Sequence, residues 1–309
     1  MELIGFIGLF LSAGAVGFRF AVVRGHAKAE AAAPGAHPIH AVYSDAAQRA
    51  AVMGLIGAVI TAILFVHALP SQAARAHATV GALLTAKTQV LLQAVMLAFA
   101  LVGFVLGASR IMAGWPLALI GVIVGTLYPV LWGSWSKAVN PAHELAAGLW
   151  IGTLFVLVVA GLSAVLRDEA RKEQRGIIVR DMVNGFSPVA LVMGVCVVIF
   201  GLITAWRHLH VLSNLWSTPY GYALIVKLCI VGFVFGLGAW NWRRQRPTLG
   251  TQGASVSIRR SATGELIAAG LVLLATAILV SLPAPRPPKA PGAGAQSPPV
   301  ASVPDEHGH

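Results

Sequence analysis

The chain has 309 residues, of which 57% are hydrophobic and 11% are charged, and its mean hydropathy is +0.78. A soluble domain carries about 25% charged residues, so this composition excludes an ordinary soluble protein and indicates one that lies in a lipid bilayer. The net charge of +11 comes from basic residues in short connectors rather than from a basic stripe, which argues against nucleic-acid binding. Cys196 and Cys229 both lie inside apolar runs, so we expect no disulfide framework.

Eight apolar windows are long enough to cross a bilayer, which requires about 20 mostly apolar residues. In chain order they are 3–23, 48–69, 88–108, 115–133, 142–166, 187–206, 220–241 and 262–282. The fifth window begins after Asn140-Pro141 and the sixth after Asn184-Gly185-Phe186, residues that often mark helix ends. The windows predict an all-α, polytopic membrane protein, built as an eight-helix transmembrane bundle.

Three parts are predicted along the chain. Residues 1–141 form an N-terminal half of four transmembrane helices, and residues 142–282 form a second half of four helices. Proline, glycine and alanine dominate after residue 282, so we expect 283–309 to be a disordered tail.

The distribution of lysine and arginine predicts the orientation, because cytoplasmic connectors are enriched in these residues. Fourteen of them fall in the first, third, fifth and seventh connectors, and six fall on the other side. The odd-numbered connectors are therefore predicted to be cytoplasmic, and both termini are predicted to lie outside.

The histidines cluster at the predicted outer side. Seven of the ten lie there, namely His67, His77, His143, His208, His210, His307 and His309. The other three, His26, His37 and His40, lie in the first connector. Because neutral imidazole is a ligand for copper, zinc and nickel, the outer cluster predicts a metal site at that face.

His208 and His210 stand two residues apart after the sixth window. Side chains at this spacing do not face each other on a helix, but they point to one side of an extended strand. The pair can therefore chelate one ion only if the backbone leaves the helix near Trp206. Alternatively, both histidines are solvated at the membrane interface, beside Trp206 and Trp216 in an aromatic belt.

His143 lies about one turn into the fifth window, where an ionisable group is costly and therefore a functional candidate. With Glu144 it stands near the outer mouth, where an imidazole and a carboxylate can take a cation. Alternatively, Glu144 caps the positive end of the helix dipole. His67 would complete the floor of this site if the second and fifth helices are neighbours, or else it hydrogen-bonds to an adjoining helix.

Sulfur ligands lie below the outer mouth. Met193 and Cys196 are three residues apart in the sixth window and share a helix face, and Cys229 lies in the outer half of the seventh. Thioether and thiolate select Cu(I) over hard cations, so these residues predict a path for a thiophilic ion. Ordinary packing is the alternative for both residue types.

Three further charges fall inside the windows. Arg19 and Glu265 lie near the inner ends of the first and eighth windows, so their depths match and we predict a structural ion pair between them. Lys227 lies roughly 10 Å below the outer end of the seventh window, at about 1.5 Å per residue. With Glu144 it is expected to tune the metal path electrostatically, or else it anchors its helix by snorkelling.

Five ordered sequence blocks span residues 143–285. They are HELAAGLWIGTLF, FSPVALVMGVCVVIFGLITAW, LWSTPYGYALIVKL, GAWNWRRQRP and GELIAAGLVLLATAILVSLPAP. Together they resemble the CopD family of copper-resistance membrane proteins. The positions that match the family's blocks are His143, Trp150 and Gly152, then Thr218, Pro219, Tyr220, Gly221 and Lys227, and finally Asn241 and Glu265.

The resemblance implies a multi-pass protein of the bacterial inner membrane, with eight helices and periplasmic termini, that serves copper resistance or uptake. It also implies a periplasmic copper-binding partner of the CopC type. Our leading hypothesis is copper movement into the cytoplasm. In it the outer histidines receive the ion, and Met193 and Cys196 serve later stages. Because no Walker motif is visible, transport would be passive or driven by a gradient, and we expect no enzymatic activity.

Two other classes stay open. The chain could be a membrane redox protein that binds b-type haem or a quinone, with His67 and His143 as the candidate axial pair. It could also be a copper-loading or assembly factor that docks a periplasmic chaperone without transporting.

Overall fold

The computed structural model describes residues 2–23, 40–133, 135–167, 174–209 and 212–245, and they form helices joined by short turns, without a strand among them. Five helices in this part are long and apolar enough to cross a bilayer, namely Leu3–Val23, Ala41–Arg75, Thr88–Ala108, Val139–Val165 and Arg175–Arg207. Shorter apolar helices span Gly114–Val130 and Gly221–Phe233. The all-α class is confirmed. The eighth window lies outside the described residues, so the eight-helix count and the orientation of the termini stay predictions.

Eleven α-helices occur in the described ranges. They are α1 (Glu2–Gly17), α2 (His40–Arg75), α3 (Val80–Ala86), α4 (Thr88–Ala108), α5 (Gly114–Leu127), α6 (Trp135–Ala147), α7 (Thr153–Val156), α8 (Ser163–Arg167), α9 (Arg175–Leu209), α10 (Asn214–Ser217) and α11 (Pro219–Gln245). A π-helical segment, Phe18–Val23, continues α1, and a 3-10 turn, Tyr128–Trp132, follows α5. The π-helical segments Gly148–Gly152 and Leu157–Leu162 join α6, α7 and α8 into one continuous helical stretch.

Two helices begin earlier than the sequence indicated. The helix α6 begins at Trp135 and contains Pro141, so Asn140-Pro141 is not its start. In the same way α9 begins at Arg175 and runs through Asn184 and beyond Pro188. Both predicted starts were wrong, because an apolar environment offers the backbone no water as an alternative partner and helices tolerate proline there. The boundary predicted between residues 141 and 142 falls inside α6, and the division into halves stays a prediction.

The helical stretch that contains α6, α7 and α8 is the most buried of the five spans. Of its window Val139–Val165, 67% is buried inside the structure, against 11% for Arg175–Arg207. It packs against α1 on one side and against α9 on another. The side chains of Val156, Leu157 and Leu162 are almost fully buried there. This helical stretch is therefore the centre of the described bundle.

Small residues allow the helices to approach closely. A Cβ atom placed on Gly14 of α1 would lie 2.3 Å from the carbonyl carbon of Gly152, so these two backbones are in direct contact. In the hairpin of α4 and α5, a Cβ atom on Gly103 would lie 2.3 Å from the backbone nitrogen of Ala118. Membrane helices associate through such close packing, since lipid supplies no hydrophobic drive between them.

Polar contacts join the helices at the predicted inner end. Arg110 has a positive φ of 63° in the turn between α4 and α5, and it forms a salt bridge of 2.7 Å with Asp45 of α2. Its guanidinium also donates to Oε1 of Gln48. Nearby, the guanidinium carbon of Arg19 stands 5.8 Å from the centre of the Trp115 ring. Glu265, the predicted partner of Arg19, lies outside the described residues, so that ion pair stays a prediction.

Candidate metal site and the cavity beside it

His143 lies about two turns after the start of α6 and about one turn into the apolar span Val139–Val165. Its imidazole ring packs on Gly201 of α9. A Cβ atom placed on Gly201 would lie 3.0 Å from Cε1 of the ring and 3.4 Å from Nδ1. The Nδ1 atom is inaccessible to solvent. The lack of a side chain at Gly201 therefore provides the space in which the ring lies.

A hydrogen bond fixes the same pair of helices one turn away. The hydroxyl of Thr204 on α9 donates to Oδ1 of Asn140 on α6, at 2.9 Å. Asn140 precedes His143 by three residues and Thr204 follows Gly201 by three, so both contacts lie on one face of each helix. The interface between α6 and α9 thus holds the backbone that carries His143.

Glu144, the next residue, lies on a different side of α6. It lines a cavity of about 510 Å³ between the predicted outer halves of five helices. The lining residues come from α1 (Gly5, Phe6, Leu9 and Ser12), α2 (Ala58, Thr61 and Phe65), α4 (Gln93, Leu97 and Ala100), α5 (Gly121, Val122, Gly125 and Thr126) and α6 (Asn140 and Glu144). The alternative that Glu144 caps a helix start is wrong, because the first turn of α6 contains no acidic residue.

His67 lies exposed near the end of α2. Although Phe65 lines the cavity, neither His67 nor His143 is among its lining residues. No group of three or more histidine, cysteine, aspartate or glutamate side chains placed to hold a metal occurs within the described ranges. A floor shared by His67 and His143 stays a prediction.

The predicted chelating pair depends on the end of α9. This helix runs through Trp206 and ends at Leu209, so the backbone at His208 is helical. The extended backbone that the pair requires is therefore not present up to Leu209. The side chain of His208 and the whole of His210 lie outside the described part of the chain.

The sulfur-containing residues lie on α9 and α11, the helices that correspond to the sixth and seventh windows. Met193 and Cys196 are half-buried on α9 and three residues apart, so they share a face of that helix. Cys196 is a free thiol, as is Cys229, which is exposed on α11. The structure does not describe the side chain of Lys227. The proposed electrostatic role of Lys227 stays a prediction.

The structure explains why Thr218 and Pro219 occur in the sequence block that resembles the CopD family. The Thr218 hydroxyl oxygen accepts a hydrogen bond of 3.0 Å from the backbone N–H of Gly221. Threonine in this position caps a helix, and proline suits the first helical residue, which here is Pro219. These residues begin α11, and a Cβ atom on Gly221 would lie 2.2 Å from the carbonyl oxygen of Leu215.

The sequence reasoning missed Gly201 and Thr204 and took Asn140 for a helix boundary. One signal was available, since Asn140 and Thr204 are polar residues close to the predicted outer ends of adjacent windows. Polar side chains at such depths commonly hydrogen-bond across helices. The glycine carried no signal of its own, because α9 contains several.

Comparison with known proteins agrees with the predicted resemblance. Residues 180–279 match the family model CopD, copper resistance protein D. Over 149 residues, 47% of its length, the chain is 30% identical to the copper transport protein CutJ of Bacillus subtilis strain 168, and the match covers 25% of that relative. No solved structure matches the chain. The resemblance to the CopD family is thereby confirmed over residues 180–279, a range that includes Gly201 and Thr204.

Proposed function

We propose that this protein transports copper inward across the bacterial inner membrane, or confers copper resistance, and that His143 receives the ion from the periplasmic side. The CopD-family region and the similarity to a protein named for copper transport support a role in copper handling. The five apolar spans support a location in a bilayer. The proposal includes the predicted topology, with both termini periplasmic and a CopC-type protein delivering copper.

The observation that carries the proposal is the packing of His143 on Gly201. The histidine precedes the matched region, whereas Gly201 and Thr204 belong to it. The CopD-family helix α9 therefore provides the space for the ring and, through the bond between Thr204 and Asn140, positions its backbone. A ligand held in place by packing and neighbouring hydrogen bonds is pre-organised for its metal.

A path inward would follow α9. With about 1.5 Å per residue, Cys196 lies about 7 Å and Met193 about 12 Å from the level of Gly201 toward the predicted inner side. Both are half-buried, and their sulfur atoms suit Cu(I). In this proposal His67, His208 and His210 sample copper at the entrance, and Met193 and Cys196 receive it after His143.

The alternative function, a membrane redox protein, requires a different arrangement of the histidines. A b-type haem needs axial ligands that face each other across a bundle, and the cavity between α1, α2, α4, α5 and α6 is lined by neither His67 nor His143. A Soret band in the purified protein would favour the haem protein over the transporter. Copper loading without transport is the third candidate function.

Copper accumulation in cells that express the chain separates these functions. We expect His143→Ala to abolish the increase in cellular copper that the unaltered chain gives. A double alanine variant of His208 and His210 should reduce the uptake rate but retain accumulation. The control is His77→Asn, which alters another exposed histidine, at a φ of 51° that asparagine tolerates.

Equal amounts of each variant in the membrane must be verified by immunoblot. Identical accumulation in all four strains would overturn the role of His143. Normal accumulation in cells without the protein would overturn transport itself and leave copper loading as the better function.

A further inference from the structure

We propose that the cavity between α1, α2, α4, α5 and α6 is a binding site for a lipid-soluble quinone, a neutral ring with carbonyl oxygens and an apolar tail. Its volume of about 510 Å³ lies within the range of about 300–1,000 Å³ that is usual for small-molecule sites. The sequence left quinone binding open but assigned no residues to it. The site needs no copper, and it stands independently of the proposed transport function.

Apolar side chains from four helices form much of the lining. They are Phe6 and Leu9 of α1, Phe65 of α2, Leu97 of α4 and Val122 of α5. The two phenylalanine rings are half-buried, and aromatic side chains favour a planar conjugated ring as a neighbour. A mostly apolar lining with a few polar groups is typical of sites for small organic ligands. The lining therefore suits a ligand that is itself largely apolar.

The charges along the cavity favour a neutral ligand. Among the described residues that line it there is no lysine or arginine, so the phosphate of a lipid headgroup has no cation to pair with there. Burying a charge without such a partner is costly. Glu144 is the acidic residue of the lining, and it already has an interaction partner of its own. The cavity therefore requires no counter-ion, and a quinone carries no charge.

Three hydroxyl groups of the lining have already donated their hydrogens. Ser12 donates to the carbonyl of Gly54 at 3.3 Å. Thr61 donates within its own helix at 3.0 Å, and Thr126 does the same at 2.7 Å. Because a hydroxyl has a single hydrogen, these groups have no hydrogen left to donate to a ligand in the cavity.

Two amides provide the donors instead. The Oε1 atom of Gln93 accepts from the Tyr128 hydroxyl at 3.4 Å, and the Oδ1 atom of Asn140 accepts from Thr204 at 2.9 Å. Within the described part of the chain, the N–H groups of these two amides donate to no other residue. An amide nitrogen is a donor only, so a ligand that bonds to it must supply an acceptor. The carbonyl oxygens of a quinone are such acceptors.

The donors and the smallest apolar residues lie at different depths. Gln93 and Asn140 lie toward the predicted outer end of the cavity, whereas Ala58, Ala100 and Gly121 lie toward the inner end. Gln93 and Ala100 are about 10 Å apart along α4, at about 1.5 Å per residue. A ring that bonds to the amides and a tail that follows the apolar residues inward match this arrangement.

Photoaffinity labelling of the purified full-length chain in phosphatidylcholine nanodiscs, without copper, tests the proposal. The probe is a tritiated azidoquinone with a short tail, and mass spectrometry identifies the labelled peptides. We expect saturable labelling of peptides that contain Phe6, Phe65 or Leu97, and unlabelled decylubiquinone should displace the probe. Because phospholipid is in large excess in the nanodisc, displacement by a quinone distinguishes a quinone site from a cavity that lipid fills.

Two variants, each with a matched control on the same helix, locate the site. Leu97→Trp should weaken labelling roughly tenfold, because the larger side chain occupies volume that the ligand needs. Leu91→Trp, at a position that is 47% exposed and outside the lining, should not. Gln93→Met removes a donor and should weaken labelling about fivefold, whereas Gln89→Met, at an exposed position, should leave it unchanged.

His143→Ala should be labelled like the unaltered chain, which separates this site from the copper site. The proposal is overturned if decylubiquinone does not displace the probe from the unaltered chain. It is equally overturned if Leu97→Trp and Gln93→Met, both monodisperse, are labelled as strongly as their controls.

Discussion

The imidazole of His143 lies on the backbone of Gly201, close enough that a Cβ atom on Gly201 would stand 3.0 Å from Cε1 of the ring. The helix α9 thus provides the ring with a space. Contacts of 3.0–3.4 Å require the neighbour to move by a few tenths of an ångström. Because contacts that orient a metal ligand tune its affinity, a shift of this size should change copper binding.

We predict that Gly201→Ala displaces the imidazole slightly and that Gly201→Val displaces it from its position. Loss of an orienting contact typically costs 10–100-fold in metal affinity, so we expect about a tenfold loss for alanine and a larger one for valine. The measurement is Cu(I) affinity of the purified protein by competition with a chromogenic chelator. The matched control is Gly232→Ala in α11, where an added Cβ atom meets no atom within 4 Å. Equal affinities for the three variants would contradict the role given to Gly201.

Thr204→Val should weaken copper binding through the backbone of α6. It removes the donor to Asn140 while it retains the shape of the side chain, and loss of such a bond costs about 1 kcal/mol. We expect the melting temperature to fall by about 3 °C, together with a severalfold loss of Cu(I) affinity. Thr85→Val is the control, since Thr85 bonds only within its own exposed helix. If both variants bind copper as the unaltered chain does, the bond between α6 and α9 has no part in positioning His143.

The contact between Gly14 and Gly152 should be among the least tolerant in the bundle. A Cβ atom on Gly152 would lie 2.1 Å from the carbonyl oxygen of Phe10, so an alanine there forces α1 away from the π-helical segment. Overpacking of this kind costs about 1–3 kcal/mol. We expect Gly14→Ala and Gly152→Ala each to lower the melting temperature by several degrees. Gly81→Ala, in open space, should leave it unchanged, and a loss of equal size there would show a general effect of helical glycines.

Arg110 and Asp45 should make a small, salt-dependent contribution to stability. Their side chains are 57% and 51% exposed, and exposed pairs contribute about 0.2–1 kcal/mol. A double-mutant cycle with Asp45→Asn and Arg110→Gln should give a coupling free energy in that range, from unfolding monitored by circular dichroism. The coupling should decrease in 1 M salt, because the Debye length of about 3 Å is then close to the separation of the two charges. A coupling that is independent of salt would point to the bonds with Gln48 instead.

Hydropathy contains information about which segments suit a bilayer but not about which helices are neighbours, and this determines how much of the structure the sequence predicted. It identified the five long apolar helices, because apolar length alone decides whether a segment suits a bilayer. It did not predict that Gly201 lies beside His143, because helices surrounded by lipid select neighbours by shape and not by hydrophobicity. The predicted starts of α6 and α9 were wrong for a related reason. Proline signals a boundary in water, whereas Pro141 and Pro188 lie inside helices here.

Glu144 is a second example of a neighbour relationship that the sequence did not predict. The sequence placed it next to His143 and treated both as parts of one outer mouth. Successive residues of a helix point in directions about 100° apart, and the π-helical segment Gly148–Gly152 follows within a turn. The two side chains therefore lie against different neighbours. Only the packing of α1, α2, α4 and α5 revealed the cavity on the second side.

The predicted ion pair of Arg19 and Glu265 can be separated from the contact between Arg19 and Trp115. Trp115 is 4% exposed and packs edge-on against Phe104, with ring centres 6.3 Å apart, so its ring offers Arg19 a fixed face. If the ion pair exists, Arg19→Glu and Glu265→Arg should each lower the melting temperature by about 4 °C, and the double swap should restore most of the loss. Trp115→Leu tests the cation–π contact alone, which contributes about 0.5–1 kcal/mol at a partly exposed site. A double swap as unstable as the two single variants combined would refute the ion pair.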